Sequence, residues 1–283
     1  MVVKYLRGKE IRKTRKLYED VFQDSKEYTD YFYHHAEQNM VAIAAMEDEE
    51  IIGELFLVPK LLSVSDRYVE ALYVYGVATA EKYRGRGIMK RLLQEAEDYA
   101  ATEEADCLYL IPVDEKIYES SGYVTIKQGE NHIWELSPKE ATEMLKFNLE
   151  TIQPEEPDKE LYREISVLES EIRQEEELAP LWDKEYLTDR ILRASVDGGG
   201  VYLLRKRNDY SIAGLIVTGE EDGEIVILDI LGASDRKEGL VKDFMRWKGT
   251  LTMKEYIFPV MVKIVNPDFS FPENMKVVLN DEI

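Results

Sequence analysis

The residues of this sequence whose types and spacing could do chemistry are Lys82-Tyr83-Arg84-Gly85-Arg86-Gly87-Ile88-Met89-Lys90. Two glycines one residue apart leave backbone N–H groups unobstructed by Cβ, and Ile88, Met89, Leu92, Leu93, Ala96 and Tyr99 then recur at helical spacing. A helix N-terminus presents unpaired amides and a partial positive charge, to which Arg84 and Arg86 add full charges. That combination suits a pyrophosphate. The sixth position of Gly85-Arg86-Gly87-Ile88-Met89-Lys90 is Lys and no βαβ unit precedes it, so this is not a dinucleotide fingerprint. The sequence also lacks the Gly-Lys-Ser/Thr of a nucleotide P-loop.

Other reactive residues point to less. His34 and His35 are adjacent, diverge by about a quarter turn on a helix, and form no ligand spacing with His132, so no metal is expected. The single cysteine, Cys107, lies in Asp106-Cys107-Leu108-Tyr109-Leu110, which reads as a buried strand. It is expected to be a structural thiol in a reducing compartment. The chain has 283 residues, 45% of them hydrophobic, enough for one large core or two ordinary ones. Thirty-six Lys and Arg against 57 Asp and Glu give a formal charge of −21, which argues against nucleic acid and anionic membranes as partners. No apolar h-region follows the amino terminus and no 18-residue apolar stretch occurs, so the expected location is cytoplasmic.

The elements that must position the Gly-rich turn can be read on either side of it. Apolar residues between Glu10 and Gln38 recur at three- and four-residue intervals and predict two helices broken near Asp24-Ser25. Met40–Met46 and Ile51–Val58 flank an acidic reversal and predict a β-hairpin. A third strand runs from about Tyr68 to Val77 and leads through the turn into a helix of about four turns. Cys107–Ile111 predicts a strand, Asp114 an N-cap, Gly122 a helix stop, and Tyr123–Ile126 another strand. Residues 135 to 190 carry 17 acidic and seven basic side chains, with Pro154 and Pro157 interrupting helical patterns, and read as a solvated connector. From about Asp197 the order of the first half repeats, with strands at Val201–Lys206, Ser211–Thr218 and Glu224–Leu231 and a helix through Leu240, Phe244 and Trp247. The counterpart of the Gly-rich turn is there Gly232-Ala233-Ser234-Asp235, without a second glycine or a preceding arginine.

The stretch Tyr75–Leu93 resembles the acetyl-CoA motif of the GNAT superfamily of N-acetyltransferases, Gln/Arg-x-x-Gly-x-Gly/Ala. Gly85 and Gly87 match, and Lys82 stands where the family has Gln or Arg. Ile117-Tyr118-Glu119-Ser120-Ser121-Gly122-Tyr123 is similar to the family's Tyr-x-x-x-Gly-Phe/Tyr signature, and the likeness spans about residues 1 to 135. The whole chain is also similar to tandem GNAT proteins of the Eis (enhanced intracellular survival) type, in which a degenerate second GNAT-like domain follows the first. Those relatives carry a further sterol-carrier-like domain for which this chain is too short. In them the chain's own terminal carboxylate is implicated near the active site, which Ile283 is not expected to reach. The implied fold is mixed α/β, a mostly antiparallel sheet flanked by helices. The expected divisions are a GNAT domain at 1–135, an acidic helical connector at 136–190 and a degenerate GNAT-like domain at 191–283.

The resemblance further implies that acetyl-CoA lies between the motif strand and the next, its pantetheine along the backbone of Tyr75 and Val77. Its pyrophosphate would lie on Lys82, Arg84, Gly85, Arg86, Gly87, Ile88 and Met89. A primary amine would attack the thioester directly. Tyr118 would serve as the general acid, since a phenol near pKa ~10 is matched to a thiol near ~8.5. Glu70 lies near where several relatives carry a general base, and Tyr73 and Tyr75 share a face that could line the acceptor cleft. An acidic protein favours a cationic small-molecule or peptide amine as acceptor. A homo-oligomer is compatible with the sequence. The competing class is a GNAT-fold sensor or scaffold that binds acyl-CoA without turnover.

Overall fold

The computed structural model describes all residues except 65–66, 154–158, 173–176, 274 and 280–283. Pro154, Pro157 and Ile283 lie outside the described residues. The chain divides into two compact units. One takes Met1–Gln128, Glu176–Pro180 and Pro259–Ile283, the other Gly129–Glu175 and Leu181–Phe258. No helix among the described residues is long and apolar enough to cross a membrane.

The first unit opens with β1 (Val2–Arg7), a 3-10 turn at Gly8–Thr14, α1 (Arg15–Phe22) and α2 (Lys26–Asn39). The two helices break where the sequence predicts. Gln23 takes a left-handed conformation and Ser25 caps α2 by accepting from the Tyr28 amide at 3.0 Å. Next come β2 (Val41–Glu47), β3 (Glu50–Val64), β4 (Arg67–Thr79), α3 (Ile88–Thr102), β5 (Cys107–Leu110), α4 (Glu115–Glu119) and β6 (Val124–Lys127). Asp114 caps α4 through the Lys116 amide, and Gly122 follows with φ +84°.

The second unit holds β7 (Glu130–Glu135), β8 (Phe147–Ile152), α5 (Lys159–Ile172), α6 (Lys184–Val196), β10 (Gly200–Lys206), β11 (Ile212–Glu221), β12 (Glu224–Gly232), α7 (Lys237–Lys248) and β13 (Thr252–Ile257). The remaining strands, β9 (Glu177–Pro180), β14 (Val260–Ile264) and β15 (Lys276–Val277), return to the first unit.

The first sheet runs β1-β2-β3-β4-β5-β14-β6, with β9 added along β3 and β15 along β9. In the order β1 to β6 every pair is antiparallel except β4 and β5, which α3 connects in parallel. The second sheet runs β8-β10-β11-β12-β13-β7 with the same alternation, its parallel pair β12 and β13 being joined by α7. The internal repeat is therefore structural.

Its boundaries differ from 1–135, 136–190 and 191–283. β7 pairs with β13 in the second sheet, while β14 lies between β5 and β6 in the first. The acidic segment is no solvated connector. Ile165, Leu168, Trp182, Tyr186 and Leu187 are buried in the second unit's core, while Lys159, Glu160, Arg163 and Glu171 of α5 and Lys184 and Glu185 of α6 are exposed.

In the first unit one core lies between the sheet and α3. Leu55, Leu57 and Val74 face Ile88, Leu92, Leu93 and Ala96, with Tyr123 and Met261 closing the far side. The opposite face carries an aromatic layer in which Tyr18, Phe32 and Tyr33 from the two helices pack on Phe56 of β3. A fully buried leucine or phenylalanine contributes about 1.5–3 kcal/mol, so these two layers hold the strands between them.

Candidate active site

The site begins where β4 and β5 part. They pair in register only at Ala71↔Cys107, Leu72↔Leu108 and Tyr73↔Tyr109, yet β4 continues six residues further, to Thr79. Beyond Tyr73 the β5-side edge of β4 has no partner in this ladder, and an extended ligand could hydrogen-bond there as a further strand.

A bulge sits in that stretch. Phe56↔Tyr75 and Glu54↔Ala78 are successive pairs with β3, leaving Gly76 and Val77 opposite the single residue Leu55. Gly76 has φ +58°, and a Cβ on it would meet Phe56 Cδ2 at 2.9 Å, so glycine is needed on both counts. Tyr75 and Val77 both lie on the length of β4 beyond the end of its ladder with β5.

β4 runs into a short 3-10 turn at Glu81–Tyr83 and then the Gly-rich turn. Gly85 and Gly87 have φ +75° and +74°, and a Cβ on either would meet nothing within 4 Å. These glycines serve backbone conformation and leave open space beside the chain, as a bound anion requires. Gly87 is the N-cap of α3, so the Ile88 and Met89 amides are among the first-turn donors that have no partner inside the helix. The Ile88 side chain is buried and that of Met89 half-buried on the same core, which fixes the helix start. Gly53 of β3 lets α3 approach: a Cβ there would stand 2.6 Å from Ile88 Cγ2.

The cations around the turn are not equivalent. Arg84 and Arg86 are exposed, with Arg84 Nε donating to the Thr79 carbonyl at 3.2 Å and the Arg86 guanidinium 4.9 Å from the Tyr83 ring centroid. Lys82 Nζ instead bonds Glu50 Oε2 at 2.9 Å, an oxygen that also accepts from Tyr83 at 3.3 Å. The hydrogen bond to Lys82 holds the Glu50 carboxyl below its ordinary range, and the same bond raises the Lys82 ammonium.

The second unit's counterpart is built differently. A Cβ on Gly232 would stand 2.6 Å from Leu240 Cδ1, so this glycine makes room for packing. The Ala233 carbonyl accepts from the Arg236 and Lys237 amides at 2.8 and 3.1 Å, tying up two donors just ahead of and at the start of α7.

Tyr118 sits on α4 with its ring half-buried on the first unit's core, edge-on to Tyr123 at 6.0 Å between centroids. Burial raises its phenol above the ordinary value, so it remains protonated at neutral pH and available as a donor.

Glu70 is placed elsewhere than the base reading needs. It is exposed at the closed end of the β4–β5 ladder, one residue before Ala71↔Cys107. Its amide donates to Asp106 Oδ2 at 3.0 Å and its carbonyl accepts from the Asp106 amide at 2.7 Å. The backbone partnership with Asp106 sets the start of the ladder, and the strand continues away from Glu70 toward the splay.

Tyr73 and Tyr75 do share a face, with rings 6.2 Å apart, and the Tyr73 ring lies tilted against Tyr109 at 4.9 Å. His34 and His35 reach Gln38 and Asn39 on their own helix. Cys107 is buried, and burial together with Asp106 pushes its thiol up to about 12.

Two features escaped the sequence. Glu54 is fully buried on β3 between Ala44 and Ala78, and neither carboxylate oxygen has a hydrogen-bond partner among the described residues. Burial holds its carboxyl well above the ordinary range. One acid in the otherwise apolar Ile51–Val58 was the available signal. The other is a chain of hydroxyls: Tyr18 donates to Asp24 Oδ2 at 2.8 Å and shares a 2.8 Å bond with Tyr75, which Tyr28 approaches at 3.5 Å.

Residues 2–126 match the family model described as an acetyltransferase (GNAT) domain. The matched residues lie within the first unit. No curated protein matches the sequence. Among solved structures, the chain is similar to a probable N-acyltransferase from Enterococcus faecalis V583, with 12% identity over 93% of this chain and 72% of that one and a TM-score of 0.73. It is also similar to Eis1 from Mycobacterium abscessus, with 12% identity, 94% and 74% coverage and a TM-score of 0.66. A third is Saccharomyces cerevisiae N-myristoyltransferase with bound myristoyl-CoA, with 10% identity, 98% and 89% coverage and a TM-score of 0.59. At such identities these likenesses establish the fold, and they span both GNAT-like sheets.

Proposed function

We propose that this acyltransferase moves an acetyl group from acetyl-CoA to a primary amine by direct attack on the thioester. The observation that carries the reading is the length of β4 beyond the end of its ladder with β5, running into a turn with two open, positive-φ glycines at the start of α3. An elongated ligand ending in a pyrophosphate matches that sequence of surfaces. When bound, acetyl-CoA supplies an activated acyl group. The amides and guanidinium groups of residues 84 to 89 would hold the pyrophosphate, and the backbone of Tyr75 and Val77 would pair with the pantetheine. Lys82 contributes through the Glu50–Tyr83 cluster, which braces the turn.

During transfer a C–N bond forms and the C–S bond breaks. The amine must arrive neutral, and the leaving sulfur takes a proton, for which Tyr118 is the donor. The second unit repeats the architecture without the open glycines, as in an Eis-type tandem with one working site. The formal charge of −21 favours a cationic acceptor, and one buried thiol suits a cytoplasmic location.

The test is thiol release from acetyl-CoA across a panel of polyamines, aminoglycosides and lysine peptides. Amine-dependent release with a mass increase of one acetyl group on the acceptor is expected. Tight acetyl-CoA binding with no release for any amine would replace the enzyme reading with a sensor.

A further inference from the structure

Amine transfer poses a problem that Tyr118 does not solve. An alkylamine is an ammonium at neutral pH and must lose a proton before it can attack. Glu70 is exposed at the wrong end of the strand to take it. The hydroxyl chain on the aromatic face has the polarity this step requires. Tyr18 spends its proton on Asp24 Oδ2, so in the 2.8 Å bond between Tyr18 and Tyr75 the donor must be Tyr75. The chain therefore runs Tyr75 O–H to Tyr18 O–H to the Asp24 carboxylate, with the Tyr75 oxygen as its accepting end.

That end is at the neck of the splay. Tyr75 is the first residue on its face after the last β4–β5 pair, Tyr73↔Tyr109, immediately before the Gly76 bulge, and it is half-buried. The far end is at the surface, because Asp24 is exposed in the turn between α1 and α2. Tyr18 between them is fully buried, its ring 4.7 Å from Phe32 and 4.6 Å from Phe22, so the middle of the path is dry and fixed. Asp24 precedes the Ser25 N-cap of α2, where the helix dipole favours a carboxylate.

We infer that Tyr75, Tyr18 and Asp24 form a proton-exit relay that deprotonates the acceptor ammonium in the splay. This rests on the amine-acetylation reading. An ammonium N–H bond breaks and its electron pair stays on nitrogen. The proton goes to the Tyr75 oxygen as the Tyr75 proton passes to Tyr18 and the Tyr18 proton to Asp24, which releases it to water. Tyr75 touches the acceptor, while Tyr18 and Asp24 act through it. The other ionisable groups around the chain are Tyr28 and Tyr33 of α2, Tyr73 of β4, Glu54 of β3, and Arg15 of α1, which is ion-paired with Glu19 and Asp30.

The relay is tested with Tyr18→Phe, which keeps the stacked ring, and Asp24→Asn, a surface change that keeps an acceptor for Tyr18 but takes no proton. With whichever alkylamine the wild type acetylates, both should lower kcat/KM at pH 7 by roughly 10- to 100-fold, at the low end of what a lost proton-transfer group costs. The defect should fade as pH approaches the acceptor's own pKa, where neutral amine is supplied by solution. A loss of equal size at every pH would make the chain merely structural, and an unchanged rate in Asp24→Asn would remove it from the reaction. If the wild type acetylates no amine, the amine-acetylation reading itself has failed.

Discussion

Replacing Gly87 with Val separates the backbone's role in the Gly-rich turn from its role in the fold. Gly87 has φ +74°, where an L-residue is disfavoured by about 1–2 kcal/mol and a β-branched one by more. The added side chain meets no atom of the protein within 4 Å of its Cβ, so no packing penalty accompanies this strain. Against a typical stability of about 5–15 kcal/mol the variant should remain folded, with Tm lower by roughly 3–8 °C for a unit of this size. The ligand should fare worse. Relaxing φ turns the first amides of α3 away from the anion, and hydrogen bonds to charged groups contribute about 1.5–3 kcal/mol each. Losing two amounts to at least ~3 kcal/mol, or more than ~100-fold in Kd, before the branched side chain's occupation of the phosphate space is counted. Gly87→Asn tests the cause, since Asn tolerates the left-handed region and should bind acetyl-CoA better than the Val variant. Calorimetric titration beside a thermal melt measures both quantities. A folded Val variant with wild-type affinity would refute the anion-cradle assignment.

Other expectations follow from single side chains. Tyr118→Phe should leave acetyl-CoA affinity nearly unchanged and lower kcat by roughly 10- to 1000-fold; a rate within twofold of wild type at every pH in steady-state kinetics would exclude it as the acid. Glu54 is held protonated by burial, so its free ionisation in the unfolded chain erodes stability as pH rises from about 4.3 toward its raised folded value. Glu54→Gln removes that erosion, and its Tm should match wild type near pH 4 and exceed it by several degrees at pH 8; a pH-independent difference would contradict the buried, unpartnered carboxylate. Lys82→Gln should weaken acetyl-CoA only a few-fold, because this lysine is engaged with Glu50, whereas Arg84→Gln and Arg86→Gln together should weaken it more, with less salt dependence remaining.

Local features of the first unit were legible in the sequence because their causes are local. The break at Asp24-Ser25, the Asp114 cap and the positive-φ glycines at 85 and 87 each depend on a few neighbouring residues. Strand partnership was not legible. β7 and β14 are short strands whose own residues do not say which sheet they complete, and the pairings that decide it link positions more than 115 residues apart for β7 and β13 and over 130 for β14 and β6. Composition misled over residues 136 to 190, because acidic outer faces outnumber the few buried positions, such as Ile165 and Leu168, that dock α5. For the site, the glycine spacing and Tyr118 could be found from motifs. Glu70 could not be judged, since its value depends on which end of β4 opens. The Tyr75–Tyr18–Asp24 chain joins a strand, a helix and a turn, and only the folded chain brings its hydroxyls within 2.8 Å.

The most direct test of the central claim, that one acyl-CoA site lies on the splay and Gly-rich turn of the first unit, is the stoichiometry of acetyl-CoA binding by calorimetry. The open glycines at 85 and 87, against a Gly232 filled by Leu240, predict one molecule per chain. Two per chain, or none, would contradict it.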